Sequence, residues 1–206
     1  MSYIVSFVTG FLTAYFGLIV PSMLNMTAAR TSIERGRRDG ILFAAGAATV
    51  VFVQGMIAVT FAKYLVAHPE VITKLKTAAI AVLLGLSFFF YTQARKKFKA
   101  KGKQKKGSAY VTGLVMSSLN MLAIPFYLAM ATLAESKGLF KLVPPFSVLY
   151  VVGAVGGAFA LFSTYVIFSE IIARRAQFIA RNINYILSGL FMVLAAVTAF
   201  QVFVGA

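Results

Sequence analysis

The sequence predicts an all-α integral membrane protein of six transmembrane helices, arranged as two inverted three-helix repeats with both termini on the non-cytoplasmic side. The first observation is composition: 60% of the 206 residues are hydrophobic and the mean hydropathy is +0.87, whereas soluble domains are about 45–50% apolar. The second is a set of long intervals without Asp, Glu, Lys or Arg. The third is the concentration of Lys and Arg in alternate connections between those intervals.

Six charge-free intervals define the predicted spans. A bilayer core of roughly 30 Å needs about 20 helical residues. Five of the intervals exceed this length, and the interval 77–94 is just long enough. A β-barrel would show polar and apolar residues alternating over about ten positions, which these intervals do not. The predicted spans are residues 1–29, 40–62, 77–94, 107–134, 142–169 and 182–206.

Basic residues predict the orientation of the spans. Fifteen Lys and Arg residues fall in the connections after the first, third and fifth spans, against five in the other two connections. The positive-inside rule therefore places both termini away from the cytoplasm. Eight of the charges lie in residues 95–107, which we interpret as a cytoplasmic loop attracted to anionic lipid rather than to nucleic acid.

The absence of reactive side chains from the intervals excludes several function classes. No Asp, Glu, Lys, Arg or His lies within them, the chain has no Cys, and His68 is its single His. Metal pathways and metal sites need such ligands. No set of residues typical of catalysis is present either. We therefore expect no metal, no cofactor and no enzymatic activity.

Neutral polar side chains within the spans are the candidate substrate-binding residues. A buried amide or hydroxyl needs a partner, because leaving it unsatisfied in hydrocarbon costs several kcal/mol. That partner is either a substrate or another helix, and the sequence alone leaves both readings open. The candidates are Asn25, Gln54, Asn120 and Tyr127.

Two prolines predict helix breaks close to the candidate Asn residues. Pro21 precedes Asn25 by four residues, and Pro125 follows Asn120 by five. Proline removes a backbone donor and clashes with the preceding turn. Broken helices at membrane depth are tolerated where they line a cavity, and many transporters build a substrate site in this way.

Weak internal similarity predicts the repeats. "GAATVVF" at 46–52 corresponds to "GAVGGAF" at 153–159, and "LGLSFF" at 84–89 corresponds to "SGLFMV" at 188–193. "SMLNM" and "SSLNM", which begin at Ser22 and Ser117, give a third pair, with an offset of 95 against 107 and 104. Three spans per unit imply inverted topology. We therefore expect one membrane domain, 1–206, with repeat one at about 1–94, the basic loop at 95–107 and repeat two at about 108–206.

Three stretches carry a shared pattern: "PSMLNMTAARTSIERGRRDG" at 21–40, "GLVMSSLNML" from Gly113 and, more weakly, "NINYILSGLFMVL" from Asn182. They resemble the lysine exporter (LysE/RhtB) family of amino-acid efflux proteins. The family's opening signature is Pro-Gly-Pro, an apolar run and Gly-Arg-Arg-x-Gly, and a later motif is Asn-Pro-Lys within an apolar span. Ser22 and Met23 replace the second and third places of Pro-Gly-Pro, while Met121 and Leu122 replace the Pro and Lys of the later motif. The matching residues are Pro21, Gly36, Arg37, Arg38, Gly40 and Asn120.

This resemblance implies a bacterial inner-membrane secondary transporter that exports amino acids or similar small polar metabolites by alternating access. Coupling to protons would use Asp39 or Glu170, the acidic residues at the cytoplasmic boundary. A homo-oligomer is compatible with the sequence. The alternative function is a membrane subunit or scaffold that retains the fold without transport, which the missing motif residues favour.

Overall fold

The computed structural model contains seven α-helices, and no β-strand, among the residues that it describes. These are residues 2–20, 22–68, 71, 80, 81, 83–85, 87, 88, 91, 92, 107–120 and 122–203, with the backbone alone described for 173–184, 186, 187 and 201–203. The helices are α1 (Tyr3–Gly17), α2 (Met23–Arg35), α3 (Arg37–Ala67), α4 (Ala109–Ser118), α5 (Ala123–Ser136), α6 (Phe146–Ile167) and α7 (Ser169–Phe203).

Two helices are individually long and apolar enough to cross a membrane. They are α3, with 31 residues, and α6, with 22. A third candidate span consists of α4 and α5, whose axes differ in direction by 69°. The apolar α1 has 15 residues and is about 22 Å long, shorter than a bilayer core. The described residues thus contain two or three candidates for the six predicted spans.

The first predicted span is divided between α1 and α2. Ser22 caps α2, since its hydroxyl accepts a hydrogen bond from the Asn25 N–H at 3.3 Å, as serine commonly does at this position. Ser22 is one of the residues that departs from the family signature. Pro21 lies outside the described residues.

The fourth predicted span is likewise divided, because α4 ends at Ser118 and α5 begins at Ala123. Pro125 occupies the first turn of α5. A missing N–H is tolerated there because the first N–H groups of a helix have no intrahelical partner. Proline therefore follows this break and does not kink a continuous helix.

The predicted connection between the last two spans is helical. The backbone forms one helix of 35 residues from Ser169 to Phe203, so the basic residues of this connection belong to a helix rather than to a loop. Among residues 80–92, every described position is also helical.

Backbone proximity divides the chain into two compact units. The first contains residues 1–66 and 103–174, and the second contains residues 67–102 and 175–206. In the second unit, Ser87 and Ser188 bond reciprocally: each hydroxyl donates to the other residue's carbonyl oxygen at 2.9 Å. These serines lie in the segments 84–89 and 188–193 that the sequence relates.

Within the first unit, α1 packs directly on α6 through glycines. A Cβ on Gly10 would overlap the carbonyl oxygen of Tyr150, and a Cβ on Gly153 would overlap that of Phe7. The two helices run in the same direction, because the Tyr3 ring stacks on Phe146 at 5.2 Å, at the beginning of both. Glycine permits this backbone contact where lipid supplies no hydrophobic drive.

The helices α3 and α4 make the same kind of contact. A Cβ on Gly46 would overlap the carbonyl oxygen of Tyr110, and a Cβ on Gly113 would overlap that of Phe43. These helices also run parallel, since Arg35 donates to the Gly107 carbonyl at 2.7 Å at their beginning. Each broken span of the first unit therefore pairs with a continuous helix from the other half of the sequence.

The two glycine contacts are related by constant sequence offsets. Each contact residue on α4 has a counterpart on α1 that lies 103 residues earlier, as Gly113 has in Gly10. Each contact residue on α6 has a counterpart on α3 that lies 107 residues earlier, as Gly153 has in Gly46. The second value is the offset of the sequence pair at 46–52 and 153–159. The first differs from the 95 that separates "SMLNM" from "SSLNM". Those two frames lie on opposite sides of their breaks, since Ser22 follows the first break and Ser117 precedes the second.

Candidate functional site

A small cavity lies where the two helix breaks of the first unit meet. Leu18 and the α2 cap Ser22 line it beside the first break, and Ser117 at the end of α4 and Asn120 line it beside the second. Its volume is about 20 Å³, enough for one group the size of a water molecule.

All four residues predicted to bind substrate line this cavity. Asn25 comes from α2, Gln54 from α3, Asn120 from the second break and Tyr127 from α5. The fold thus brings together side chains that are up to 102 residues apart in the sequence.

Asn25 satisfies backbone groups that the first break releases. Its side-chain NH₂ donates to the carbonyl oxygens of Leu18 at 2.7 Å and Val20 at 3.0 Å. Both donor hydrogens of the amide are therefore in use. Asn25 is almost fully buried, and its contacts are those of a residue that stabilises the break.

Tyr165 completes the stabilisation of the first break. Its hydroxyl donates to the Ile19 carbonyl at 2.7 Å, so the carbonyls at 18, 19 and 20 all have side-chain partners. Tyr165 lies on α6, the continuous helix that packs beside α1. The sequence marks it as a polar residue in an apolar span, but no local pattern indicates that it reaches a break 146 residues away.

Gln54 tethers the second break and has one unused polar atom. Its NH₂ group donates to the Ser117 carbonyl at 3.0 Å. Because a carbonyl oxygen only accepts, this bond fixes which end of the amide faces Ser117. The other end, Oε1, is buried and makes no hydrogen bond to the described residues.

Tyr127 and Asn120 also have free hydrogen-bonding capacity at the cavity. The Tyr127 hydroxyl is buried without a partner among the described residues, and the residue is only 1% exposed. The Asn120 side chain is partly exposed and makes no hydrogen bond to another described residue. Gln54, Tyr127 and Asn120 can therefore engage a ligand without breaking an existing bond, whereas the donors of Asn25 cannot.

Helix ends supply the electrostatics of the cavity. The breaks bring the C-terminal ends of α1 and α4 and the N-terminal ends of α2 and α5 to its wall. C-terminal ends carry partial negative charge and N-terminal ends partial positive charge. No lining residue is Asp, Glu, Lys, Arg or His, so the wall has charges of both signs without an ionised side chain.

The two candidate coupling residues do not line the cavity. Asp39 pairs with Arg35 at 2.7 Å in the first turn of α3, 15 residues before Gln54 and hence about 22 Å away along the helix axis. Glu170 is exposed in the first turn of α7. Among the described residues, no group of three or more His, Cys, Asp or Glu side chains could hold a metal ion.

Sequence reasoning did not assign Ser22, Ser117 and Phe162 to the site, although all three line the cavity. A signal for the serines was present, because each begins one of the two related five-residue frames. Phe162 gave no signal, since it is one of 20 Phe residues in an apolar chain.

Comparison with known proteins identifies the class of this molecule. The sequence profile of the LysE type translocator family matches residues 15–201, which includes both helix breaks and every residue that lines the cavity. The chain belongs to the LysE type translocator family, whose members are integral membrane transporters rather than enzymes. No curated protein and no solved structure matches the chain significantly.

Proposed function

We propose that this chain is a bacterial inner-membrane secondary transporter that exports amino acids or similar small polar metabolites. One observation carries the proposal: the two helix breaks meet at a cavity lined by Asn25, Gln54, Asn120 and Tyr127. Irregular backbone is tolerated at membrane depth where it lines such a site, and helix ends bind charged groups of a substrate there.

The mixed polarity of the wall favours a zwitterion. The carboxylate of an amino acid is stabilised by the N-terminal ends of α2 and α5, and its ammonium by the C-terminal ends of α1 and α4. This arrangement compensates for the absence of the Lys of the family's Asn-Pro-Lys motif, whose place is taken by Leu122. Hydrogen bonds from uncharged side chains then orient the substrate.

We further propose that the transport cycle is alternating access between two inverted three-helix repeats, about 1–94 and about 108–206. The constant offsets of 103 and 107 in the glycine contacts support this relation. The parallel directions of α3 and α4 support it too. With three spans in each repeat, spans one and four begin on opposite sides of the membrane, so spans two and four begin on the same side. Alternating access then requires α1 to slide along α6 and α3 along α4. No side chains interlock at their glycine contacts, which makes such sliding easier.

The proposed orientation has both termini outside the cytoplasm and the basic loop 95–107 inside, in contact with anionic lipid. The Arg35 to Gly107 hydrogen bond brings the end of this loop to the same side as the basic start of α3. Both are regions that the positive-inside rule assigns to the cytoplasm. Assembly into a homo-oligomer is part of the proposal.

Coupling through Asp39 or Glu170 would act at the cytoplasmic end and not at the substrate. Protonation of Asp39 would remove its ion pair with Arg35, and Arg35 also holds Gly107 before α4. A proton there changes how the end of α2 and the beginnings of α3 and α4 are held together. The test is proton uptake by liposomes that contain the Asp39→Asn or the Glu170→Gln variant. Loss of substrate-dependent proton uptake in one variant identifies the coupling residue.

Reconstitution tests the proposed function against the alternative of a scaffold that retains the fold. Purified protein in liposomes loaded with a mixture of amino acids should release at least one of them faster than protein-free liposomes do. Comparing extracellular metabolites of cells with and without the protein extends the search to other small polar compounds. Release no faster than from protein-free liposomes, with no change in extracellular metabolites, would favour the scaffold.

A further inference from the structure

We propose that Gln54 and Tyr127 form a subsite for the protonated amine of the substrate, and that Gln54 links this subsite to the second helix break. The inference rests on the proposed function and specifies its substrate as a zwitterion of zero net charge. Its basis is two buried polar atoms without a partner among the described residues, Gln54 Oε1 and Tyr127 Oη, whose residues both line the cavity.

The orientation of Gln54 makes the subsite an acceptor of hydrogen bonds. Its NH₂ group is held by the Ser117 carbonyl at 3.0 Å, so the atom left for a ligand is the carbonyl oxygen Oε1. Gln54 is 6% exposed, and an acceptor buried to this degree is costly unless a donor reaches it. The Tyr127 hydroxyl can also accept.

The cavity volume selects the group that meets these acceptors. About 20 Å³ accommodates a water-sized group such as an ammonium, but not an entire amino acid. The rest of the substrate lies outside this volume. The ammonium is therefore the part of the substrate that fits the cavity in this conformation.

No acidic residue lines the cavity, and this limits the net charge that a bound substrate can carry. A buried ammonium needs a compensating negative charge, and beyond the partial charges at the C-terminal ends of α1 and α4 only the substrate's own carboxylate provides one. A second positive charge, as in lysine, would have no such partner. We therefore infer a preference for amino acids of zero net charge over basic ones.

Gln54 also connects binding to conformational change. The amide that accepts from the ammonium donates to the carbonyl of Ser117, next to the last residue of α4. Polarisation of the amide by a bound cation strengthens its NH₂ group as a donor. Substrate in the subsite thus tightens the tether on the second break, and its release loosens that tether.

Competition measurements test the subsite in the full-length protein in liposomes. The tracer is a radiolabelled amino acid that the wild-type protein carries, and the competitors are L-alanine, L-lactate and L-lysine. L-lactate has the alanine skeleton with a hydroxyl in place of the ammonium. Wild-type protein should be inhibited by L-alanine at concentrations about 10-fold or more below those of L-lactate and L-lysine.

Tyr127→Phe and Gln54→Met should bring the L-alanine to L-lactate ratio toward one. Tyr150→Phe is the matched control, because Tyr150 is equally buried but does not line the cavity, and it should keep the wild-type ratio. A wild-type ratio in Tyr127→Phe protein that still transports would overturn the subsite while leaving the proposed function intact. Wild-type protein that carries no amino acid would instead overturn the proposed function.

Discussion

Replacing Gly153 with Ala should separate α1 from α6 and destabilise the first unit. A Cβ at this position would lie 2.9 Å from the carbonyl carbon of Phe7, 0.5 Å short of an ordinary contact of 3.4 Å, and would overlap the oxygen of that carbonyl. The obstacle is backbone and not a flexible side chain, so the helices themselves must move. Overpacking of this kind costs about 1–3 kcal/mol, and occasionally more.

Gly156→Ala is the matched control, on the same helix and three residues further along. Its Cβ would meet only the Phe11 ring, at 3.5 Å, so the variant should gain up to about 1 kcal/mol from helix propensity. Gly153→Ala gains the same helix propensity, so thermal unfolding in detergent should separate the two variants by the overpacking cost alone, about 1 to 3 kcal/mol. Equal stability of the two variants would refute the direct backbone contact between α1 and α6.

Four further predictions concern the other glycine contact, the cavity and the orientation. Gly46→Ala should destabilise the protein about as much as Gly153→Ala, as unfolding in detergent will show, because its Cβ would overlap the Tyr110 carbonyl in the same way. Asn25→Leu should lower stability by about 1–3 kcal/mol, since it leaves two carbonyls unpaired at about 0.6 to 1.7 kcal/mol each. Asn120→Leu should instead abolish efflux from liposomes with nearly unchanged stability, and normal efflux would remove Asn120 from the mechanism. An impermeant thiol reagent on intact cells should label a single cysteine at Ala206 but not at Lys101, and the reverse pattern would overturn the orientation.

The sequence predicted the parts of the fold that composition and charge control. Charge-free intervals located α3 and α6 well, because a continuous span must exclude ionised groups along its length. Proline and amide positions indicated where α1 and α4 end. The helical connection after Ser169 was not predicted, since basic residues are compatible with either a helix or a loop.

Four of the residues that line the cavity could be named from the sequence, but their separate roles could not. Side-chain amides are uncommon in the charge-free intervals and two of them lie close to prolines, which is why Asn25, Gln54 and Asn120 could be selected from the sequence, whereas Tyr127 is one of several tyrosines there. That Asn25 is bonded to break carbonyls, while Gln54 and Tyr127 retain free atoms, depends on contacts between distant segments. The matched frames beginning at Ser22 and Ser117 identified cavity residues, although the two frames are not structurally equivalent.

Substrate protection of a cysteine in the cavity tests the central claim most directly. The chain has no native Cys, so Ser117→Cys and its neighbour Ser118→Cys each provide one thiol, the first at the cavity and the second exposed outside it. In liposomes that still transport L-alanine, L-alanine should slow the reaction of a small permeant thiol reagent at position 117 and leave position 118 unaffected. Equal reaction rates at position 117 with and without L-alanine would contradict the assignment of this cavity as the substrate site.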